Sequence, residues 1–80
     1  MSEKFEVVLW IVNPVNGAGH PRVVSTYDLY KAVKMLCGSD VEDGAISICG
    51  TDELVAGKEK GHGVIDWFNG WTINGKKVEE

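Results

Sequence analysis

The segment from Phe5 to Val12 carries apolar residues on both of its sides, and no other feature constrains the fold as tightly. It is rich in β-branched and aromatic residues and contains neither Gly nor Pro, which marks a β-strand. Side chains alternate across a strand. Phe5, Val7, Leu9 and Ile11 therefore share one side, and Glu6, Val8, Trp10 and Val12 share the other. A strand apolar on both sides is expected to be central in its sheet and covered on both faces.

Residues 1–80 are read as a single domain, close to the smallest size that folds without outside help. Apolar residues make up 44% and charged residues 25% of the chain, enough apolar surface to offset the ordering entropy. No apolar run approaches the roughly 20 residues of a membrane span, and no secretory signal is evident. Cys37 and Cys49 are read as small buried hydrophobes in a reducing compartment. These features predict a cytoplasmic protein.

The net charge of −4 opposes direct nucleic-acid binding, which needs clustered Lys and Arg. Between Met35 and Gly57 there is no basic residue, whereas Asp40, Glu42, Asp43, Asp52 and Glu53 fall there. Solvated loops explain this run, and an acidic patch for a basic partner is the alternative.

Downstream, Asn13 to Pro21 reads as an irregular loop, because Asn-Pro, Asn-Gly and His-Pro all favour turns. Ser25 or Thr26 can cap a helix running to about Cys37, with Leu29, Ala32, Val33, Leu36 and Cys37 as its apolar stripe. Gly38 is a natural stop. Ala45–Cys49 reads as a short strand, and Thr51–Ala56 as a single helical turn. Val64–Phe68 reads as a strand, and Asn69-Gly70 is a strong two-residue hairpin signal. That hairpin sets Phe68 opposite Trp71 and Trp67 opposite Thr72. A second Asn-Gly pair, Asn74-Gly75, offers a competing hairpin. The expected fold class is α+β: a small three- to four-stranded, mostly antiparallel sheet with one main helix, about 25–37, packed on one face. The expected order is β-α-β-(short turn)-β-β.

The sequence contains no decisive catalytic motif. Asn13-Pro14-Val15-Asn16-Gly17-Ala18-Gly19 is a glycine-rich loop between a strand and a helix, a setting that can cradle phosphate. His20-Pro21-Arg22 stands where a Walker A loop needs Gly-Lys-Ser/Thr, and Arg22 stands where a dinucleotide fingerprint needs its third glycine. Over Leu9–His20 the stretch resembles the Asn-Pro-x-Ser-Gly nucleotide loop of the diacylglycerol and sphingosine kinase family. That family's Gly-Gly-Asp-Gly-Thr signature has only a scrambled counterpart in Cys49-Gly50-Thr51-Asp52-Glu53. The chain is also far shorter than that catalytic fold, so the resemblance is read as chance. Residues 39–50 lack carboxylates at three liganding positions of a calcium loop. His20, His62, Cys37 and Cys49 show none of the short spacings of structural zinc sites. Asp66 stands oddly inside an apolar strand, where an edge position explains it. No metal or cofactor is expected, and an enzyme is not the favoured reading.

The functional expectation comes from counting apolar faces. One short helix covers one face of a small sheet, and the first strand offers two. A further covering surface must come from loops, from a second copy, or from another protein. Trp is enriched where such contacts are strongest. The expected function is a non-enzymatic small regulatory or inhibitory interaction module acting by protein–protein contact, as a homodimer or with another protein. The candidate interaction residues are Val8, Trp10, Trp67, Trp71, Asp40, Glu42 and Asp43. The alternative is a small-ligand or anion-binding domain using loop 13–22, with Gly17, Gly19 and Arg22 as its residues. No membrane partner is expected.

Overall fold

The computed structural model describes residues 3–60 and 64–76. Among these, one helix packs on a five-stranded antiparallel sheet, and a short two-stranded hairpin follows. The strands are β1 (Phe5–Val12), β2 (Gly19–Thr26), β3 (Val41–Ile48), β4 (Leu54–Lys58) and β5 (Asp66–Trp67). The helix α1 (Leu29–Leu36) lies between β2 and β3 in the chain. In space the sheet order is β2-β1-β3-β4-β5. The α+β class and antiparallel sheet are as expected, but the main sheet has five strands rather than three or four, and the chain order is β-β-α-β-β-β-β-β, ending in the hairpin, rather than β-α-β-(short turn)-β-β.

The main difference is β2. Residues 19–26 were expected to finish a loop and begin the helix, yet they pair along the whole length of β1, from Phe5 opposite Thr26 to Val12 opposite Gly19. Asn13 to Ala18 form only the tight connection between the two strands. Its turn is closed by the Asn13 N–H on the Ala18 carbonyl and the Gly17 N–H on the Asn13 carbonyl, both at 2.8 Å. Pro21 does not break β2, because β2 lies at the sheet edge, where a missing N–H donor can face water. Val23, Val24 and Thr26 supply the β-branched character that strands favour.

The helix consequently starts later than expected. Asp28, not Ser25 or Thr26, is the N-cap: its carboxylate accepts from the Tyr30 and Lys31 amides at 3.0 and 3.3 Å. The helix ends at the Cys37 cap, just before Gly38. Ala32 and Leu36 are buried, and Leu29 and Val33 pack beside them. Cys37 departs from the expected stripe and is exposed, while Cys49 is half-buried; both are free thiols.

β3 extends over eight residues rather than five, and Thr51–Ala56 is not helical. The Thr51 hydroxyl instead accepts the Glu53 N–H and donates to the Ile48 carbonyl, closing the turn into β4. Asn69 and Gly70 both take positive φ, 56° and 77°, as a tight hairpin turn requires. The Trp71 N–H donates to the Phe68 carbonyl across that turn at 3.0 Å. The flanking residues nevertheless diverge. Trp67 pairs with Ala56 of β4, and β6 (Trp71–Thr72) pairs with β7 (Gly75–Lys76). The ladder therefore belongs to the competing turn at Asn74-Gly75.

The core lies on the helix side of the sheet. Phe5, Val7 and Leu9 of β1 meet Ile46 and Ile48 of β3, with Ala32 and Leu36 above them. The helix makes its main contacts with β1, β2 and β3. Gly44 permits its close approach: a Cβ there would lie 2.6 Å from the Val8 carbonyl oxygen and 2.7 Å from Leu36 Cδ1. The rest of this face is covered by the C-terminal segment. Trp71 stacks edge-on against Phe5, with ring centroids 5.7 Å apart, and its indole N–H donates to the Glu53 carboxylate at 2.7 Å. Ile65 and Trp67 pack against the same core.

Candidate interaction surface

The helix and most of the C-terminal segment lie on one side of the sheet, so the other side can be read directly from the strand register. Directly opposed residues share a face. On β1 the second face carries Glu6, Val8, Trp10 and Val12. β2 contributes Ser25, Val23, Pro21 and Gly19 opposite them, and β3 contributes Ser47, Ala45 and Asp43. Gly57 of β4 lies opposite Ala45, and Asp66 of β5 lies opposite Gly57. The apolar row Val23–Val8–Ala45–Gly57 therefore crosses four strands.

Among the described residues this face carries no helix, and from the C-terminal segment the Phe68 ring lies on it, over the buried Gly57. Val8, Trp10 and Phe68 remain 40%, 41% and 40% exposed, and Val23 remains 61% exposed. Leu54, opposite Ser47, is exposed as well. The two aromatic rings lie over glycines. A Cβ on Gly19 would come within 2.7 Å of the Trp10 indole, and one on Gly57 would meet the Phe68 ring at 3.3 Å. An aromatic ring laid over a strand glycine shields the backbone that a side chain would otherwise cover.

The charges within the paired strands divide by face, while Lys4, just before β1, alternates onto the side of Glu6 with its ammonium over the Tyr27 ring. Glu6, Asp43 and Asp66 occupy the open face, whereas Arg22 and Lys58 stand opposite Leu9 and Gly44 on the helix side. The Lys58 ammonium donates to the Val41 carbonyl at 3.0 Å. Lys60 pairs with Glu42 at 2.9 Å. That hydrogen bond, the Glu42 charge and the nearby Asp43 hold the exposed Lys60 ammonium above the ordinary lysine range.

The seven residues expected to form an interaction surface are thus divided. Val8, Trp10 and Asp43 share the open face. Asp40 and Glu42 instead border an open cleft of about 480 Å³ at one end of the sheet, together with Val12, Pro14, Ser39 and Val41. Trp67 is half-buried on the helix side, and Trp71 is a core residue at 8% exposure. Glu6 shares the open face as its alternation with Val8 and Trp10 required, and Val23, Leu54, Phe68 and Asp66 join it without having been expected there. Val23 was missed because its strand resembled a loop, although its alternation with Pro21 and Ser25 was visible.

Gly17, Gly19 and Arg22 are not assembled into an anion site. The amides of Val15, Gly17 and Ala18 are donated within the turn, to Asn13 Oδ1, the Asn13 carbonyl and Asn16 Oδ1. Gly19 lies under Trp10 on the open face, while Arg22 is on the opposite face. A strand, not a helix, follows the loop, so no helix dipole faces it. His20 borders a second cleft beside Asp40, and His62 lies outside the described residues. Among the described residues, no cluster of His, Cys, Asp and Glu is arranged to hold a metal ion, and no helix is long and apolar enough to cross a membrane. Comparison with family models, curated proteins and solved structures gives no match.

Proposed function

We propose that this chain is a non-enzymatic contact module that acts by docking another polypeptide on the open face of its sheet. The carrying observation is the apolar surface formed by Val23, Val8 and Ala45, with Trp10 beside them and the Phe68 ring at its border over Gly57, on the face that α1 does not cover. Covering a Val or Phe side chain that stands partly in water is worth on the order of 1 kcal/mol. Several such residues in one patch exceed the scattered apolar exposure of an ordinary surface. The small side chain of Ala45, next to Val8, leaves room for a partner side chain close to the sheet, and Trp10 supplies an aromatic anchor.

A photo-crosslinking residue tests this reading by position. Placed at Val23, it is expected to give a discrete adduct in the cells that make the protein. Placed at Tyr30, exposed on the helix side, it is expected to give none. Light scattering on the purified chain then tells a homodimer from a heterologous adduct. Equal adducts from both positions, or none from Val23, would overturn the proposal.

A further inference from the structure

We infer that β2 is a self-association edge: two copies of this chain pair their β2 strands antiparallel and join their two sheets into one. This goes beyond docking on the open face and does not depend on it.

A strand between two antiparallel neighbours turns the backbone groups of alternate residues toward each of them. On β1 the even-numbered residues face β3. The Cys49 N–H donates to the Lys4 carbonyl and the Val12 N–H to the Asp40 carbonyl, both at 2.8 Å. Phe5, Val7, Leu9 and Ile11 therefore bond to β2, through Thr26, Val24, Arg22 and His20. Gly19, Pro21, Val23 and Ser25 point their backbone groups away from the sheet. Proteins ordinarily blunt such an edge with Lys, Pro, a bulge or a cover. Pro21 blunts the Gly19 end. From Arg22 to Thr26 there is neither Lys nor Pro, and the ladder with β1 has no register shift. Among the described residues no strand lies alongside. The opposite edge, β5, is only two residues long.

A second copy fits this edge by register and by charge. In a two-fold pairing centred on Val24, Val23 meets Ser25 of the second copy, and the two exchange N–H···O=C bonds in both directions. Centred on Val23 instead, the Ser25 carbonyl would face Pro21, which has no N–H to give. The Val24 register also sets the exposed Pro21 opposite Tyr27 of the second copy, and Tyr27 is 64% exposed in the single chain. β2 contains no acidic residue. Asp40, Glu42, Asp43 and Asp66 lie at β3 or beyond, and Glu6 lies one strand in with Lys4 on its side. The net charge of −4 is thus held away from the junction. Arg22 forms no ion pair among the described residues. In this register it stands opposite Thr26 of the second copy and diagonal to Asp28, whose backbone is still extended at φ −107° and ψ 108°. Diagonal neighbours lie about 7–8 Å apart, within reach of a guanidinium. The α1 amides use Asp28 Oδ1, so Oδ2 can accept from Arg22.

Amide hydrogen exchange on the purified ¹⁵N-labelled chain, at high and low concentration, tests the edge directly. The Val23 and Ser25 amides are expected to be protected at high concentration and to exchange fast on dilution. Those of Arg22 and Val24, bonded to β1, are expected to stay protected at both. Sedimentation equilibrium then reads the variants. Val23→Pro removes one outward N–H per copy, as Pro21 already does within β2, and is expected to weaken the dimer about 30-fold for two lost hydrogen bonds. Arg22→Gln is expected to weaken it a few-fold, less so in high salt. Val8→Gln, on the open face one strand in, is expected to leave the dimer intact. A monomer at every concentration, or a dimer in which Val23 and Ser25 exchange freely, would overturn this inference. A dimer lost in Val8→Gln but kept in Val23→Pro would overturn it as well, and would place self-association on the open face. In each of these cases a photo-adduct to a different polypeptide from Val23, but not from Tyr30, would still support the contact module by itself.

Discussion

Gly44 is the residue at which helix and sheet come closest, and its side of β3 has no room for a methyl group. Gly44→Ala brings a Cβ against the backbone oxygen of Val8 as well as the tip of Leu36. Leu36 can shift, but the backbone oxygen cannot move without disturbing the β1–β3 ladder. The expected loss is about 2–3 kcal/mol, by analogy with overpacked cores, measured by urea unfolding. Asp28 offers a smaller effect. It satisfies two amides at the start of α1, so Asp28→Ala should cost about 1 kcal/mol, and Asp28→Ser should restore most of it. An unchanged denaturation midpoint in Asp28→Ala would contradict the cap. Lys60 lies at the opposite extreme. Its raised pKa favours the charged form in the folded chain, so its contribution is present below the ordinary lysine value and fades as pH rises through the folded one. Because the group is exposed, Lys60→Met should leave the neutral-pH unfolding midpoint where it is.

At the scale of elements, α1 and the C-terminal segment divide the covering of one sheet face between them. An eight-residue helix is too short to hold its shape alone, so it depends on Ala32 and Leu36 packing against β1 and β3. Leu36→Ala should cost about 2–5 kcal/mol, and helical circular dichroism should be lost together with the sheet signal in one transition. Trp71 holds the other half of the core through Phe5 and Glu53. Glu53→Gln keeps an acceptor for the indole N–H, whereas Glu53→Ala leaves that donor in a half-buried setting. The alanine variant should therefore be the less stable, by about 1 kcal/mol or more, in the same urea experiment. Equal stability of the two would remove the indole hydrogen bond from the account.

For the whole molecule, the consequence is asymmetry: one face of the sheet is a packed core, and the other is apolar but wet. Of the three tryptophans, only Trp10 stands on the wet face. Iodide or acrylamide should quench one fraction of the fluorescence strongly, and Trp10→Phe should remove that fraction. The remaining emission, from Trp67 and Trp71, should be well protected. Val23→Thr trims apolar surface that no other element covers, so its effect on stability should stay within about 0.5 kcal/mol, while docking on the open face weakens. A large loss of stability would place Val23 in the fold's own core instead.

The sequence by itself determined the chemistry of β1. Its alternation named both faces, put Val8 and Trp10 together, and required more cover than one short helix provides. Punctuation was equally local: Gly38 after the helix and the positive-φ turn at Asn69-Gly70 follow from backbone sterics acting over a few residues. The partners of those elements were decided by the tertiary structure. A proline that would interrupt a central strand is harmless at an edge, and residues 19–26 form β2 at the edge of the described sheet. Glu42-Asp43-Gly44 could join β3 because β1 supplied a ladder and Leu36 needed the space above Gly44. The three tryptophans are alike in sequence, yet strand register sent Trp67 to the helix side, and packing on Phe5 sent Trp71 into the core. Only Trp10 was left on the face with the carboxylates. Register and burial depend on contacts between residues distant in the chain, and local propensity carries no record of them.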